Sequence, residues 1–472
     1  MQTRKRLACK KESYVKQNLI GSSVRGENSL LKFKKAPKLI FRNTRIEAMS
    51  ESSFYCSICS KGHFLNLLQA VMHVISETAK GKGSRHVPCC VQGCLETVRK
   101  FKLRLHIRKS HGELCTLSCS VCQAKFVEQR DLDNHLRNGC PRTVWKRRIG
   151  TFFENIDFSD SSTVDISIKN TIQLDKASRN AVSEVVDLLY KHLQHNLPSL
   201  SINKLVKGGS VGKGTAVKDK ADIDFVVFLN DVKTMKDHKL KLQETKDCLE
   251  SCLKESPYQI THVEQTQYAV KFRLTLSQEF DIDLLPTFTT NQRSEQLYNE
   301  MIGCTTEEKA YYSAGLVSLQ LEFVKRQPSN VKDLIRLVKY WRKTCIADKS
   351  TRKTRLPSSY PLELITIHCW EKAEKPQSFD KRVGFKAVLL KLVDNCDIDV
   401  RWFNYYDEAL AKRGIKRINK SRPFVLDPAN PTNNVCSASN AKGWKIVAEV
   451  AKMTLEWHPL KDIDFEKNWQ IF

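Results

Sequence analysis

Residues 205–229 read LVKGGSVGKGTAVKDKADIDFVVFL, and the fold follows from how this stretch must be arranged. Gly208-Gly209-Ser210 makes a tight turn in which backbone N–H groups and a hydroxyl can approach phosphate oxygens. Twelve residues after Ser210, Asp222-Ile223-Asp224 enters the apolar strand FVVFL. Side chains alternate across a strand, so Asp222 and Asp224 share one face while Ile223 and Phe225 share the other. Two carboxylates on one face beside a phosphate-binding turn form a hard-oxygen site suited to Mg²⁺.

The later strand EFDIDLLPTF, residues 279–288, supplies a third carboxylate. Asp281 and Asp283 again share a face, and Asp283, directly before Leu284-Leu285-Pro286, is the expected member. The catalytic, metal-holding set is thus Asp222, Asp224 and Asp283. Three aspartates can hold two Mg²⁺ ions, one lowering the pKa of an attacking hydroxyl and one holding a triphosphate and the leaving pyrophosphate. An isolated Asp-x-Asp pair is more often a surface turn. The turn, the pair and the later strand aspartate together point to nucleotidyl transfer. The GKGT segment is not a P-loop, because Gly214 rather than Ser or Thr follows Lys213.

A chain of 472 residues suggests two or three domains. No apolar run approaches the ~20 residues of a membrane span, and the opening MQTRKRLACKKESY has no stretch that would serve as a secretory signal. The 17 cysteines are therefore expected in a reducing compartment, as free thiols or metal ligands. The net charge of +26 is unevenly placed: residues 1–150 hold 30 Lys and Arg against 10 Asp and Glu, and the remaining 322 hold 48 against 42. That is the pattern of a polyanion-binding appendage on a globular body.

Residues 1–50 read as a basic, mostly disordered tail. Within it, Arg4-Lys5-Arg6 with Lys10-Lys11 is a candidate nuclear import signal on an otherwise cytoplasmic chain. Residues 54–140 carry nine of the cysteines and read as a zinc-finger module. Cys119-x2-Cys122-x12-His135-x4-Cys140 has ββα-finger spacing, with Phe126 and Leu132 placed for its small core. Cys89-x4-Cys94-x11-His106-x4-His111 is a second finger, with Cys90 competing as first ligand. Four protein ligands fill a zinc tetrahedron, so the Zn²⁺ expected at each would be structural. Cys56-x2-Cys59 with His73 is a third, degenerate candidate. Residues 141–175, opening with Pro141 and basic residues and ending in DFSDSSTVD, read as a linker.

The chain resembles the 2′-5′-oligoadenylate synthetases, within the DNA polymerase β-like nucleotidyltransferases. The resemblance rests on KGGSVGKGTAVKDKADIDFVVFL, LEFVKRQPSNVKDLIRLVKYWRKTC, LPSSYPLELITIHCWEKA and SRPFVLDPANPTNNV, in that order. It implies an α+β, two-lobed enzyme: a mixed β-sheet catalytic lobe at 176–330, a helical C-terminal lobe at 331–472 and a cleft between them. By position it also implies that Asp222, Asp224 and Asp283 hold the two Mg²⁺ ions. Gly209 and Ser210 would meet the nucleotide phosphates and Lys339 the donor triphosphate. Tyr360 would stack on the donor base, while Ser359 stands where the family has glutamine. The donor would be ATP, with GTP as the alternative.

In this family double-stranded RNA lies on a basic face opposite the cleft. Lys207 and Lys325 match that face and Arg326 adds to it, although Leu321 stands where an arginine is expected. The resemblance thus implies RNA activation, with DNA the alternative ligand. The related cyclic GMP-AMP synthases carry a zinc loop inside the catalytic domain, and no His-Cys-Cys-Cys cluster follows residue 176. Three readings stay open: a 2′-5′-oligoadenylate synthase, a cyclic dinucleotide synthase, and an inactive nucleic-acid-binding adaptor. The complete aspartate set weighs against the last.

Overall fold

The computed structural model describes residues 67–80, 86–91, 94–137, 139–197, 199–218, 223–289, 295–346, 350–351, 353–418, 420–464 and 467–469, with short strands at 54–55 and 63–64. The candidate import signal at Arg4-Lys5-Arg6 and Lys10-Lys11, the cysteines Cys56 and Cys59, and Asp222 lie outside the described residues. Among the described residues no helix is long and apolar enough to cross a membrane.

From residue 141 the chain forms α1 (Pro141–Asn155), α2 (Lys176–Asn196), β1 (Ile202–Lys207), α3 (Gly209–Lys213), β2 (Ile223–Leu229), α4 (Met235–Lys254), β3 (Ile260–Gln265), β4 (Val270–Thr275) and β5 (Glu279–Phe288). The five strands make one mixed sheet in the order β1-β2-β5-β4-β3. Only the β2–β5 pair is parallel. Parallel neighbours need a long crossover, and the segment from α4 to β4 supplies it. On α2, Val182, Val185, Leu189 and Leu193 recur every three or four residues, which makes one apolar stripe. That stripe packs with Ile223, Phe225, Ile282 and Leu284 of the sheet and with Leu249 and Leu253 of α4. A capping box opens α4: the Thr234 hydroxyl accepts from the Asp237 N–H, and the Asp237 carboxylate accepts from the Thr234 N–H.

The second lobe is helical, built on α5 (Ser329–Cys345), α6 (Ser359–Lys372), α7 (Lys381–Val393) and α8 (Ala441–Leu455). Its core also takes in residues from the stretch 141–175, which the sequence led one to expect as a linker and which is instead folded and packed. Residues 141–172 form α1, the helix Ser161–Ser167 and a π-turn at Ile168–Ile172. Ile149, Phe152, Ile156, Val164, Ile168 and Ile172 are buried in the same core as Trp341, Phe385 and Val450. Phe152 is surrounded by Phe153, Phe158, Tyr340 and Phe385 at ring separations of 5.1 to 6.0 Å. The basic and Ser/Asp-rich positions fall on the exposed sides of these turns and hide the apolar stripe in a composition count.

Ahead of this body, the described residues include three hairpin-plus-helix units. The first pairs Phe54–Tyr55 with His63–Phe64 and continues into the helix Leu67–Lys80. The second pairs His86–Pro88 with Thr97–Arg99 before the helix Leu103–Ser110. The third pairs Leu117–Ser118 with Lys125–Phe126 before the helix Gln129–Arg137. Leu67, Val71 and Val74 pack on Val87, Leu103 and Ile107, so the first two units share a core. Arg104 pairs with Glu128, and Arg108 lies 5.4 Å from the Phe126 ring centroid, which ties the second unit to the third. Cys140 is the N-cap residue of α1, followed by Pro141 at a position where proline suits a helix start.

Burial of α1 makes a direct prediction. Phe152→Ala should lower the unfolding free energy of the full chain by about 3–5 kcal/mol, as for other buried aromatic truncations. Urea unfolding would read this, whereas a linker residue would leave the midpoint unchanged.

Candidate active site

Strand register places the carboxylates. Across the parallel β2–β5 pair, Asp224 stands opposite Asp283 and Ile223 opposite Ile282. Neighbouring strands are about 4.8 Å apart, so the two carboxylates leave the same face side by side. Asp281, two residues earlier on β5, is out of register with Asp224 and is bound by Arg273 at 2.9 Å. Asp283 is therefore the member that faces Asp224.

The glycine turn closes on the same residue. The Gly208 N–H donates to the Asp224 carbonyl at 2.6 Å. Gly209 has φ +52°, and a Cβ there would lie 1.9 Å from Asp224 Oδ2, so the carboxylate occupies the volume a side chain would need. Ser210 follows on α3, one residue from this contact. Lys271 on β4 faces Asp283 across the sheet, with Nζ 2.6 Å from Oδ2. That hydrogen bond raises the Lys271 ammonium above its ordinary pKa. Asp224, Asp283, Lys271 and Glu264 line an open cleft of about 490 Å³. Adjacent hard carboxylate oxygens, one of them already drawing a cation, fit a divalent ion. Lys271 was not singled out from the sequence, because its partner lies across a strand pair that spacing does not reveal.

Beneath the turn, the two lobes meet at a buried carboxylate. Glu363 on α6 accepts from Lys213 Nζ at 2.9 Å, from Lys339 Nζ at 2.9 Å and from the Thr215 hydroxyl at 3.1 Å. Burial pushes the Glu363 carboxyl up, but the two ammonium groups outweigh it and hold it below the usual carboxylate range. Lys339 also donates to the Thr215 carbonyl at 2.9 Å and is 3% exposed. The position implied for Lys339, a hand on the donor triphosphate, is thus not the one it holds here: its ammonium points into this network. Lys213 additionally sits 3.9 Å from the Tyr360 ring centroid. The Tyr360 hydroxyl donates to Asp427 Oδ1 at 3.1 Å, and Gln320 donates to Asp427 Oδ2 at 3.0 Å. Ser359, the neighbour of Tyr360, is the first residue of α6. Glu363 and Lys213 were missed at the sequence level. A lone acid inside the apolar run LELITI was the available signal.

Two further clusters lie in the hairpin-plus-helix units. The ligand atoms of Cys89, Cys94, His106 and His111 all lie within 4.8 Å of one another, as do those of Cys119, Cys122, His135 and Cys140. Cys94 Sγ is 3.5 Å from His106 Nε2 and Cys122 Sγ is 3.4 Å from His135 Nε2. Tetrahedral Zn–S and Zn–N bonds would put such a pair about 3.6 Å apart. The buried Nε2 of His111 has no hydrogen-bond partner. A hydrogen bond from Cys90 is the main cause that brings the Cys89 thiol down to about 5. The backbone at Cys122 is the main cause that brings Cys119 to about 6. Both clusters fit a tetrahedral metal ion, and Cys89 rather than Cys90 is the member that faces the other three.

The basic residues line two pockets. Lys207, whose Nζ is 3.5 Å from the Ser183 hydroxyl, lines a pocket of about 230 Å³ with Arg179 and Arg336. Lys325 and Arg326 flank a neighbouring hollow with Val206 and Leu321. Lys332 bridges the two, with Nζ 2.5 Å from the Lys325 carbonyl and Arg336 close enough to depress its pKa further after burial. Arg336 donates to the Gly214 carbonyl at 2.5 Å, one residue before Thr215.

The buried network yields a second prediction. Glu363→Gln leaves Lys213 and Lys339 buried without a counter-charge and should destabilise the chain by about 3–5 kcal/mol. Thermal and urea unfolding would check this, and an unchanged midpoint would mean the network is incidental.

Comparison with known proteins is consistent with this geometry. A family model described as 2′-5′-oligoadenylate synthetase 1, domain 2, C-terminus matches residues 291–472, and a nucleotidyltransferase domain matches residues 189–272. The 2′-5′-oligoadenylate synthase 1A of Mus musculus is 32% identical over 321 residues, covering 62% of this chain and 86% of the mouse protein. The 1A synthase of Rattus norvegicus is 31% identical over 304 residues, covering 59% and 84%. A solved structure of CdnC from Escherichia coli with ATP aligns with a TM-score of 0.47 at 21% identity, over 63% of this chain and 90% of that one. The sheet with its facing aspartates, the glycine turn and the mouse and rat synthases lead to one assignment: the chain belongs to the 2′-5′-oligoadenylate synthase family and is a nucleotidyltransferase.

Proposed function

We propose that this chain links ATP into 2′-5′ oligoadenylates, releases pyrophosphate, and is switched on by double-stranded RNA in antiviral innate immune signalling. The observation that carries the chemistry is the facing of Asp224 and Asp283 beside the Gly208-Gly209-Ser210 turn. The product class rests on the names of the relatives. In the transfer, a 2′-hydroxyl oxygen bonds to the α-phosphorus of a donor ATP, the bond to the β-phosphate bridge breaks, and pyrophosphate leaves. Asp222, Asp224 and Asp283 would hold two Mg²⁺ ions, which supply a lowered hydroxyl pKa and charge neutralisation at the phosphates. Tyr360, anchored through its hydroxyl on Asp427, offers its ring to the donor base, with Ser359 beside it. Lys339 reaches the triphosphate once it parts from Glu363.

The control step follows from the same contacts. Duplex RNA presents phosphates and 2′-hydroxyls, which cations recognise by shape rather than sequence. Phosphates at Lys207, Lys325 and Arg326 compete with the Gly214 carbonyl for the nearby Arg336. Release of Gly214 loosens Thr215 and so the hold on Lys339. In the amino-terminal module, each of the two clusters Cys89/Cys94/His106/His111 and Cys119/Cys122/His135/Cys140 would hold one structural Zn²⁺.

Incubation with ATP and Mg²⁺, with and without duplex RNA, should give linear 2′-5′ oligoadenylates by mass and nuclease sensitivity only when RNA is present. Asp224→Ala and Asp283→Ala should each abolish turnover while the unfolding midpoint stays near that of the parent. A cyclic product, or synthesis independent of RNA, would overturn the reading. Metal analysis of the purified chain should find two zinc ions per molecule, and one or none would remove the finger assignment.

A further inference from the structure

Seven of the ten exposed large apolar side chains among the described residues lie between 67 and 137, in the amino-terminal module. The finger formed by His86–Pro88, Thr97–Arg99 and Leu103–Ser110 carries the most exposed of these, Leu95 at 96% and Phe101 at 77%. A ββα finger meets nucleic acid through the residue before its helix and those at the third and sixth helical positions. Here the helical turn begins at Lys100, so these positions are Arg99, Lys102 and Leu105, with Phe101 between the first two. All four side chains are exposed. Lys102 Nζ is 6.0 Å from the Phe101 ring centroid, and Arg108 and Lys109 follow on the same helix.

The next finger is unlike it. Its corresponding positions are Glu128, Asp131 and Asn134, and Glu128 is already paired with Arg104 of its neighbour. One finger therefore contributes the contacting surface while the other braces it. A single finger spans about three base pairs. Phe101 and Leu105 have no groups that hydrogen-bond to base edges. An exposed ring flanked by cations suits a different ligand, an unpaired base that stacks on the ring while its phosphates meet the cations. The excess of Lys and Arg over residues 1–150 favours a polyanion over an apolar protein partner.

We propose that the Arg99–Phe101–Lys102–Leu105 surface binds single-stranded polynucleotide, with Phe101 as the stacking platform. This site is separate from the duplex face at Lys207 and Lys325 and does not rest on the product of the enzyme. It gives the chain a grip on unpaired tails or loops next to a duplex.

The test uses the full zinc-replete chain and fluorescence anisotropy with four probes: single-stranded RNA, single-stranded DNA, a blunt RNA duplex, and the same duplex with a 3′ overhang. The parent should bind the overhang duplex more tightly than the blunt one. Phe101→Ala should weaken single-strand binding about tenfold, with zinc content and blunt-duplex affinity unchanged, and Phe101→Trp should retain it. RNA and DNA strands of equal affinity would support stacking without sugar recognition, and a preference for RNA would add the 2′-hydroxyl to the recognised group. Single-strand binding untouched by Phe101→Ala, or a parent that does not distinguish blunt from overhang duplex, would overturn the proposal. So would a variant altered only in self-association or protein binding, since the patch would then be a protein contact. RNA-dependent synthesis, measured alongside, reports on the catalytic reading alone.

Discussion

The buried carboxylate of Glu363 joins the two lobes of this enzyme. Glu363 projects from the helical lobe and receives Lys339 from its own lobe, with Lys213 and Thr215 from the catalytic lobe. A lone carboxylate in that position would be costly, as would either lysine without it. Together they hold the segment after the glycine turn against α6. Through Lys213 the same network touches Tyr360, and through Thr215 it is one residue from the carbonyl held by Arg336. Tyr360, the contact between the lobes and the basic residues around Arg336 are therefore neighbours in one chain of polar contacts.

The face that carries Asp224 and Asp283 depends on a different kind of constraint. Alternation along a strand fixes which residues share a side, and pairing fixes which residues stand abreast. A one-residue slip between β2 and β5 would turn Asp283 toward the core and bring Ile282 to the cleft. The apolar set Ile223, Phe225, Ile282 and Leu284 resists that slip, because each would lose its place against α2 and α4. The carboxylates are held in register by the hydrophobic residues behind them.

Local rules account for what could be read from the chain alone. Strand alternation gave the Asp224 face, and the spacing of Cys and His gave two ligand sets that the structure brings together. The mixed sheet with a helical lobe followed from the family likeness. Longer-range facts were not legible. Residues 141–172 looked like a linker because Lys146, Arg147, Arg148 and the Ser/Asp run dominate their composition. Their stripe of Ile149, Phe152 and Ile156 has meaning only against α5 and α8. A lysine on α5 could be placed on a face, but not matched to a glutamate 24 residues on and a threonine 124 residues back.

The helical lobe takes its core from both sides of the catalytic sheet, from 149–172 and again from 323 onward. The chain passes from one core to the other near Gln173 and along the helix Val317–Lys325, and it returns to the sheet's core at Leu410 and Ala429. The two crossings are close neighbours, since Gln173 donates to Asp333 at 2.7 Å, just after the second passage. Two covalent crossings, the apolar return at Leu410 and Ala429 and the Glu363 ion pairs therefore bind the two cores at several points, so that a change in either lobe is felt by the other.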